Sequence, residues 1–417
     1  MSKPVKDLEP RAAELDAADT LSHMRDRFHI PEGMVYLDGN SLGLMPVAAA
    51  ERVANVARGE WAEGLIRSWS DAGWFHLPMT AGDRIAPLVG AGAGEIAVGD
   101  STSVNLFKCM AAALQLRPGR RIILSEGKNF PTDNYMAQGL ANLVSEAELR
   151  YFEPDEDPAD QVDGDVAVVL LSHVDYRSAR IRDMAATTAA IQARGALVVW
   201  DLSHTSGGVP CDLTGANADF AVGCTYKYLN GGPGAPAFAW ANPRHAKTLS
   251  QPLSGWMGHA APFDFSRDYA PAEGARRFVC GTPQILSLSS LDEALKLWAD
   301  VDLDALWAKS REMTGFFIDA VETLAAGHGL SLISPRDPAV RGSHVSFDID
   351  EGGFELMQVL AARKIIGDFR APRTIRFGFA PLYLRFADTL AAAQAIADIL
   401  TTREWDDDAY RVRGAVT

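Results

Sequence analysis

Lys227 lies in VGCTYKYLNGGPG, residues 222–234, between Tyr226 and Tyr228 and just ahead of three glycines and a proline. It follows DFAVGCT, an apolar run of the kind that forms a buried strand, and it precedes a loop whose glycines let the backbone approach another group closely. Most lysines are solvated surface charges. One at the end of a buried strand loses solvation, and its amine can then act as a nucleophile that condenses with a carbonyl. Asp201 ends another apolar run, ALVVW, 26 residues earlier, and His204 follows it in WDLSHTSGG.

The elements that must position these groups read as a regular alternation. From about residue 95 apolar strands are predicted at EIAVGD, RRIILSEG, DVAVVLLSHV, ALVVWDLSHT and DFAVGCTYK, separated by Ala-rich helical stretches such as MAATTAAIQARG. Continuous apolar strands joined by helices require a mostly parallel sheet covered on both faces, and ligands collect beyond the carboxyl ends of such strands. Upstream, MVYLDGNSLGLMP reads as a short strand, a turn around Asp38 to Ser41, and a helix starting near Val47. Downstream, a long helical tract (SLSSLDEALKLW to AVETLAA) leads to RGSHVSFDI, a helix and TIRFGFAPLY, a smaller α+β lobe.

The position after each strand yields Thr102 and Ser103, then Phe130, Pro131, Thr132 and Asp133, then Ser172, then Asp201 and His204, and finally Tyr226 and Lys227. Singly, each has a plain explanation: Ser103 or Asp201 as a helix cap, Phe130 as core, His204 as a loop histidine. Together they meet the needs of pyridoxal phosphate (PLP): a lysine for the aldehyde, an acid to keep the ring nitrogen protonated, an aromatic face, and hydroxyls and amides for the phosphate. The hydroxyls of GDSTSVN fall at a predicted helix N-terminus, where free N–H groups and the helix dipole favour a phosphate. No P-loop pattern competes for that role.

Composition narrows the partners. The 417 residues exceed one usual core, and 47% of them are hydrophobic, so two lobes are expected. The 39 basic and 54 acidic residues leave a formal charge of -15, which repels nucleic acid and anionic membranes. Four dispersed cysteines, 109, 211, 224 and 280, suit reduced thiols better than disulfides or zinc, so no metal is expected. The N-terminus lacks an apolar signal core and no stretch is long enough to span a bilayer, which predicts a cytoplasmic protein.

Seven stretches in order, LDGNSLGLMP, KNFPTDNY, WDLSHTSGGVP, CTYKYLNGGPG, LSGWMGH, CGTPQ and TIRFGFAPLY, resemble the kynureninase family of fold-type I, class V PLP enzymes over most of the chain. That resemblance implies an α/β fold: a large domain (51–290) with a mostly parallel seven-stranded sheet covered by helices, a smaller C-terminal α+β domain (291–417), and an N-terminal segment (1–50) packing with the latter. It implies that Lys227 holds the cofactor covalently, Asp201 binds the pyridine nitrogen, His204 lies beside the ring and Phe130 stacks on it. Phosphate contacts map onto Thr102, Ser103, Tyr226, Trp256 and Thr282, the last two reaching across from the partner of a homodimer with shared active sites. Asp133 and Ser172 line the site. Arg376 grips the substrate carboxylate with two parallel hydrogen bonds, and Ser41 and Trp69 are further substrate contacts.

The implied reaction is hydrolysis of the Cβ–Cγ bond of L-kynurenine to anthranilate and L-alanine, a step of tryptophan catabolism, with Lys227 moving the Cα proton and Tyr226 as candidate proton donor to Cβ. Trp69 and Thr282 stand where relatives preferring the ring-hydroxylated substrate resemble a histidine and an asparagine, so 3-hydroxykynurenine is expected to be the poorer substrate. One alternative is another class V activity, a cysteine desulfurase or selenocysteine lyase, which needs a mobile thiol. A second is a binding protein that keeps the fold without catalysis.

Overall fold

The computed structural model describes residues 7–412. The chain forms two compact units, one of Met1–Val47, Arg177–Ile181 and Asp300–Thr417, the other of Ala48–Tyr176 and Arg182–Ala299. The outermost expected domain bounds, residues 1 and 417, lie outside the described residues.

The smaller unit opens with the helix Leu8–Ala18 and β1 (Val35–Tyr36). The turn expected at Asp38 to Ser41 forms, with the Ser41 and Leu42 N–H groups both donating to the Asp38 carbonyl at 2.9 and 3.1 Å. The helix expected near Val47 runs Val47–Asn55, almost wholly in the larger unit, and widens into a π-helical stretch, Val56–Gly64.

The larger unit holds seven strands among the described residues: β2 (Ile96–Val98), β3 (Ile122–Glu126), β4 (Glu148–Phe152), β5 (Val166–Ser172), β6 (Leu197–Asp201), β7 (Phe220–Gly223) and β8 (Phe238–Ala241). Their order across the sheet is β2-β8-β7-β6-β5-β3-β4. The pairs β4–β3–β5–β6–β7 are parallel, and only β8 runs against its two neighbours. β6 and β7 are buried throughout, and β5 in all but its last residue, which is why they read as unbroken apolar runs. β4 and β8 escape a reading by hydrophobic runs: β4 is an edge strand (ELRYF) with only Phe152 buried, and β8 has four residues after a Gly/Pro-rich loop.

The long helical tract resolves into Ile285–Lys296 and Leu303–Leu324, interrupted where Asp302 caps the second helix by accepting from the Ala305 N–H at 3.1 Å. The smaller unit then adds β9 (Leu330–Leu332), β10 (His344–Ile349), β11 (Ile365–Ile366), β12 (Asp368–Arg370) and β13 (Thr374–Gly378). β12-β13-β10-β9 form an antiparallel sheet, and β11 pairs in parallel with β1. Its helix Phe386–Thr402 packs on both Leu303–Leu324 and Leu8–Ala18. No described helix is long and apolar enough to cross a membrane.

Candidate active site

Strand β7 stops at Gly223, short of the Cys224 that the apolar run suggested it would include. The backbone then turns away: the Gly231 N–H donates to the Thr225 carbonyl at 2.9 Å, the Thr225 hydroxyl to the Pro236 carbonyl at 2.6 Å, and Asn230 adopts φ 56°. This tied loop presents Tyr226 and Lys227 half-buried just past the carboxyl end of the sheet. Lys227 Nζ lies 3.2 Å from His204 Nε2 and 5.9 Å from the Phe130 ring centroid.

These groups line one cavity of the larger unit, which also collects Thr102, Ser103, Thr132, Asp133, Ser172, Asp201 and Tyr226. Parallel strands account for the convergence: β5 and β6 lie in register, with Ser172 opposite Asp201, so their ends deliver both residues to one edge. Of the expected strand-end residues only Pro131 is absent from the lining. It is exposed at the first position of the helix Pro131–Leu143, where its fixed φ starts the helix.

Two lining residues, Ser203 and Tyr176, are legible only with the fold in hand. Tyr176 meets Phe130 edge-on at 5.3 Å, holding the ring in place. Ser203 donates both its N–H (2.8 Å) and its hydroxyl (2.6 Å) to Asp201 Oδ1. Asp201 and Asp133 are nearly fully buried and line the same cavity. Burial pushes both above the ordinary carboxylate range, Asp133 well above it, with the Asp201 charge adding to the rise at Asp133 and the nearby Lys227 opposing it. The Tyr226 phenol is raised too, first by neighbouring Cys224 and then by burial, so it holds its proton firmly.

The helix Thr102–Leu116 begins at this cavity. Its cap is Ser101 rather than Ser103, with the Ser101 hydroxyl accepting from the Val104 N–H at 3.3 Å. The amides of Thr102 and Ser103 therefore meet no acceptor among the described residues and point out of the helix end, as an anion site requires. Behind the loop, fully buried Lys108 bonds to Asp100 and to the Phe278 carbonyl.

In the smaller unit Arg376 on β13 is 1% exposed. Its Nε donates to Asp368 Oδ1 at 2.9 Å, its Nη2 to Asp368 Oδ2 and, at 3.1 Å, to Ser41 Oγ, so the two expected substrate contacts meet here. With the Asn40 amide turned so that its oxygen faces the guanidinium, that oxygen accepts from Nε at 3.0 Å. Asp38, beside this group, has its carboxyl raised to about 7, by burial first and then by the Asp368 charge.

Trp256 and Thr282 are exposed and lie outside their own chain's cavity. Trp69 is half-buried, edge-on to Trp74 at 5.8 Å, and also outside it. Size does not pick out the site: a larger cavity of about 670 Å³ in the same unit, beside Leu114, Leu140 and Leu143, holds none of these residues. Among the described residues no three His, Cys, Asp or Glu side chains gather as metal ligands do.

A family model described as the kynureninase C-terminal domain matches residues 306–396. A kynureninase from Burkholderia pseudomallei (strain 1106a) is 49% identical over 411 residues, covering 97% of this chain and 99% of the relative. One from Pseudomonas fluorescens is 47% identical over 408 residues, covering 97% and 98%. Among solved structures, the cysteine desulfurase from Thermococcus onnurineus NA1 superposes with a TM-score of 0.78 at 18% identity, covering 91% of this chain and 98% of that one. A C-DES mutant with glycine covalently linked to its PLP cofactor gives the same score at 16% identity, covering 90% and 99%. These two fix the fold, that of fold-type I PLP enzymes, and the near full-length identity to the bacterial relatives goes further: the chain belongs to the kynureninase family.

Proposed function

We propose that this chain is a PLP-dependent hydrolase that cleaves the Cβ–Cγ bond of L-kynurenine to give anthranilate and L-alanine. The observation that carries this reading is the grouping of Lys227, His204 and Asp201 in one cavity, at the carboxyl end of the sheet of a kynureninase-family chain. The residues fit PLP: a buried carboxylate for the ring nitrogen, Phe130 and His204 for the ring, and unclaimed amides at Thr102 and Ser103 for the phosphate, joined by Tyr226, with Thr132 and Ser172 lining the site. When bound, PLP supplies an aldehyde for the substrate amine and a protonated ring that accepts the electron pair released at Cα.

The chain's own residues do the rest. Lys227 Nζ takes the Cα proton, with His204 at 3.2 Å steadying the amine. Asp201 meets the ring nitrogen as a buried acceptor, its Oδ1 held by Ser203. Tyr226 keeps its phenolic proton until it is delivered to Cβ as anthranilate departs, and water supplies the hydroxyl that completes the anthranilate carboxyl. Arg376, its plane fixed by Asp368, binds the substrate carboxylate with Ser41 nearby.

The larger unit serves as the cofactor domain and the smaller one as the carboxylate domain. The exposure of Trp256 and Thr282 outside their own cavity supports a homodimer in which each subunit lends them to its partner's phosphate site. Trp69 and Thr282 then disfavour 3-hydroxykynurenine, and the setting is the cytoplasm. The test is to incubate the PLP-loaded protein with L-kynurenine, 3-hydroxykynurenine or cysteine and assay anthranilate, 3-hydroxyanthranilate and sulfide. Anthranilate with equimolar alanine is expected, and sulfide as the main product overturns the reading.

A further inference from the structure

We propose that Ser203 is a positioning residue that decides which of two buried carboxyls in one cavity carries a proton, holding Asp201 as the anion and leaving the proton on Asp133. The proposal rests on reading Asp201 as the partner of the cofactor's ring nitrogen.

Asp133 and Asp201 are both nearly fully buried in the one cavity, and like charges so placed repel, so the pair keeps a proton that one of them must carry. The donors around each decide its place. Asp201 Oδ1 receives the Ser203 N–H at 2.8 Å and the Ser203 hydroxyl at 2.6 Å. The Cys224 N–H at 3.4 Å occupies a lone pair of that hydroxyl, which leaves its single proton for Asp201.

Asp133 is served less well. Its Oδ2 receives the Asn129 amide at 3.3 Å. That amide cannot be turned over, because Asn129 Oδ1 accepts from the Phe130 N–H at 2.8 Å and from the Ser172 hydroxyl at 2.7 Å, and a backbone N–H only donates. Asn129 Nδ2 therefore faces Asp133 as a donor, and a proton on this carboxyl belongs on Oδ1. The first turn of the helix Pro131–Leu143 favours an anion at Asp133, but that influence is weaker than two short hydrogen bonds to a charged oxygen. Burial raises Asp133 well above the carboxylate range, in keeping with its holding the proton. The ring nitrogen then meets a full anion and stays protonated.

The test uses the PLP-loaded protein with nitrogen-15 in the cofactor ring. Ser203→Ala removes the hydroxyl donor and keeps the N–H. It is expected to move the ring-nitrogen resonance towards the unprotonated position and to weaken PLP binding about tenfold to a hundredfold, the loss of one hydrogen bond to a charged group. Ser203→Thr, which keeps the hydroxyl, restores both. An unmoved resonance with PLP affinity within about twofold in Ser203→Ala overturns the proposal.

In the apoprotein, the infrared band of a protonated carboxyl is expected to vanish in Asp133→Asn and to persist in Asp201→Asn. The reverse also overturns it, and this pair decides the matter if Ser203→Ala does not fold. Failure of the underlying reading shows separately, in the unsubstituted protein, as no borohydride fixation of PLP to Lys227 and no anthranilate.

Discussion

At the scale of single residues, Lys227 and Arg376 make different predictions. Lys227→Ala removes the proton carrier while the ring and phosphate contacts remain, so multiple turnover is lost and PLP still binds noncovalently. Steady-state anthranilate assays and retention of PLP on dialysis check both halves. Arg376→Ala does more than raise KM for L-kynurenine, because it leaves the buried Asp368 carboxylate with only Arg370 and Ser41 as donors, at a cost of about 1–3 kcal/mol in stability. Arg376→Lys keeps the charge but cannot fork, so Tm recovers while KM stays high. Thermal unfolding alongside kinetics separates the two. Lys227, Asp201 and His204 were legible because each falls at or within a few residues of the end of an apolar run, whereas Ser203 was not: a serine two residues after an aspartate carries no signal until the strand end turns it back onto the carboxylate.

At the scale of elements, the phosphate-side helix and the turn at Asp38 can each be tested. Ser101→Ala removes the cap of Thr102–Leu116 and costs about 0.5–2 kcal/mol of the larger unit's stability, read as a lower urea midpoint. The Asp38 carboxyl faces Tyr36, Asp368, Arg370 and Arg376. Folded, it keeps its proton up to about pH 7, whereas unfolded it releases it near 4, so the stability it contributes is present in acid and is lost as pH rises through 7. From this group the smaller unit's Tm is expected to fall between about pH 4 and 7, and Asp38→Asn to flatten that slope. Apolar runs revealed β2, β3, β5, β6 and β7. They did not reveal β4, an edge strand with only Phe152 buried, or β8, which follows a Gly/Pro-rich loop.

At the scale of the whole molecule, the shared-site reading makes a prediction about mixtures. Lys227→Ala lacks the proton carrier and a Trp256→Ala, Thr282→Ala double variant lacks the lent contacts, so each homodimer is impaired throughout. A hybrid dimer has one cavity with every residue native. Mixing the two after mild dissociation is therefore expected to restore anthranilate production, and no recovery in a mixture shown to contain hybrids overturns sharing.

The smaller unit is discontinuous in sequence, and one contact shows what that entails. The Asp16 carboxylate accepts the Phe386 N–H at 2.6 Å and the Ala387 N–H at 3.0 Å, capping a helix that starts 370 residues downstream. A ribosome adding about 5–20 residues per second needs roughly 20–75 s to make that stretch. Until then the helix Leu8–Ala18 reaches Leu303–Leu324, through Arg11 to Asp319 at 2.9 Å, and it settles when Phe386–Thr402 arrives to pack on it. The larger unit has all its strands by residue 241 and can fold in the meantime. A nascent chain stalled at residue 385 should thus protect the large sheet from protease while its N-terminal helix is still cut.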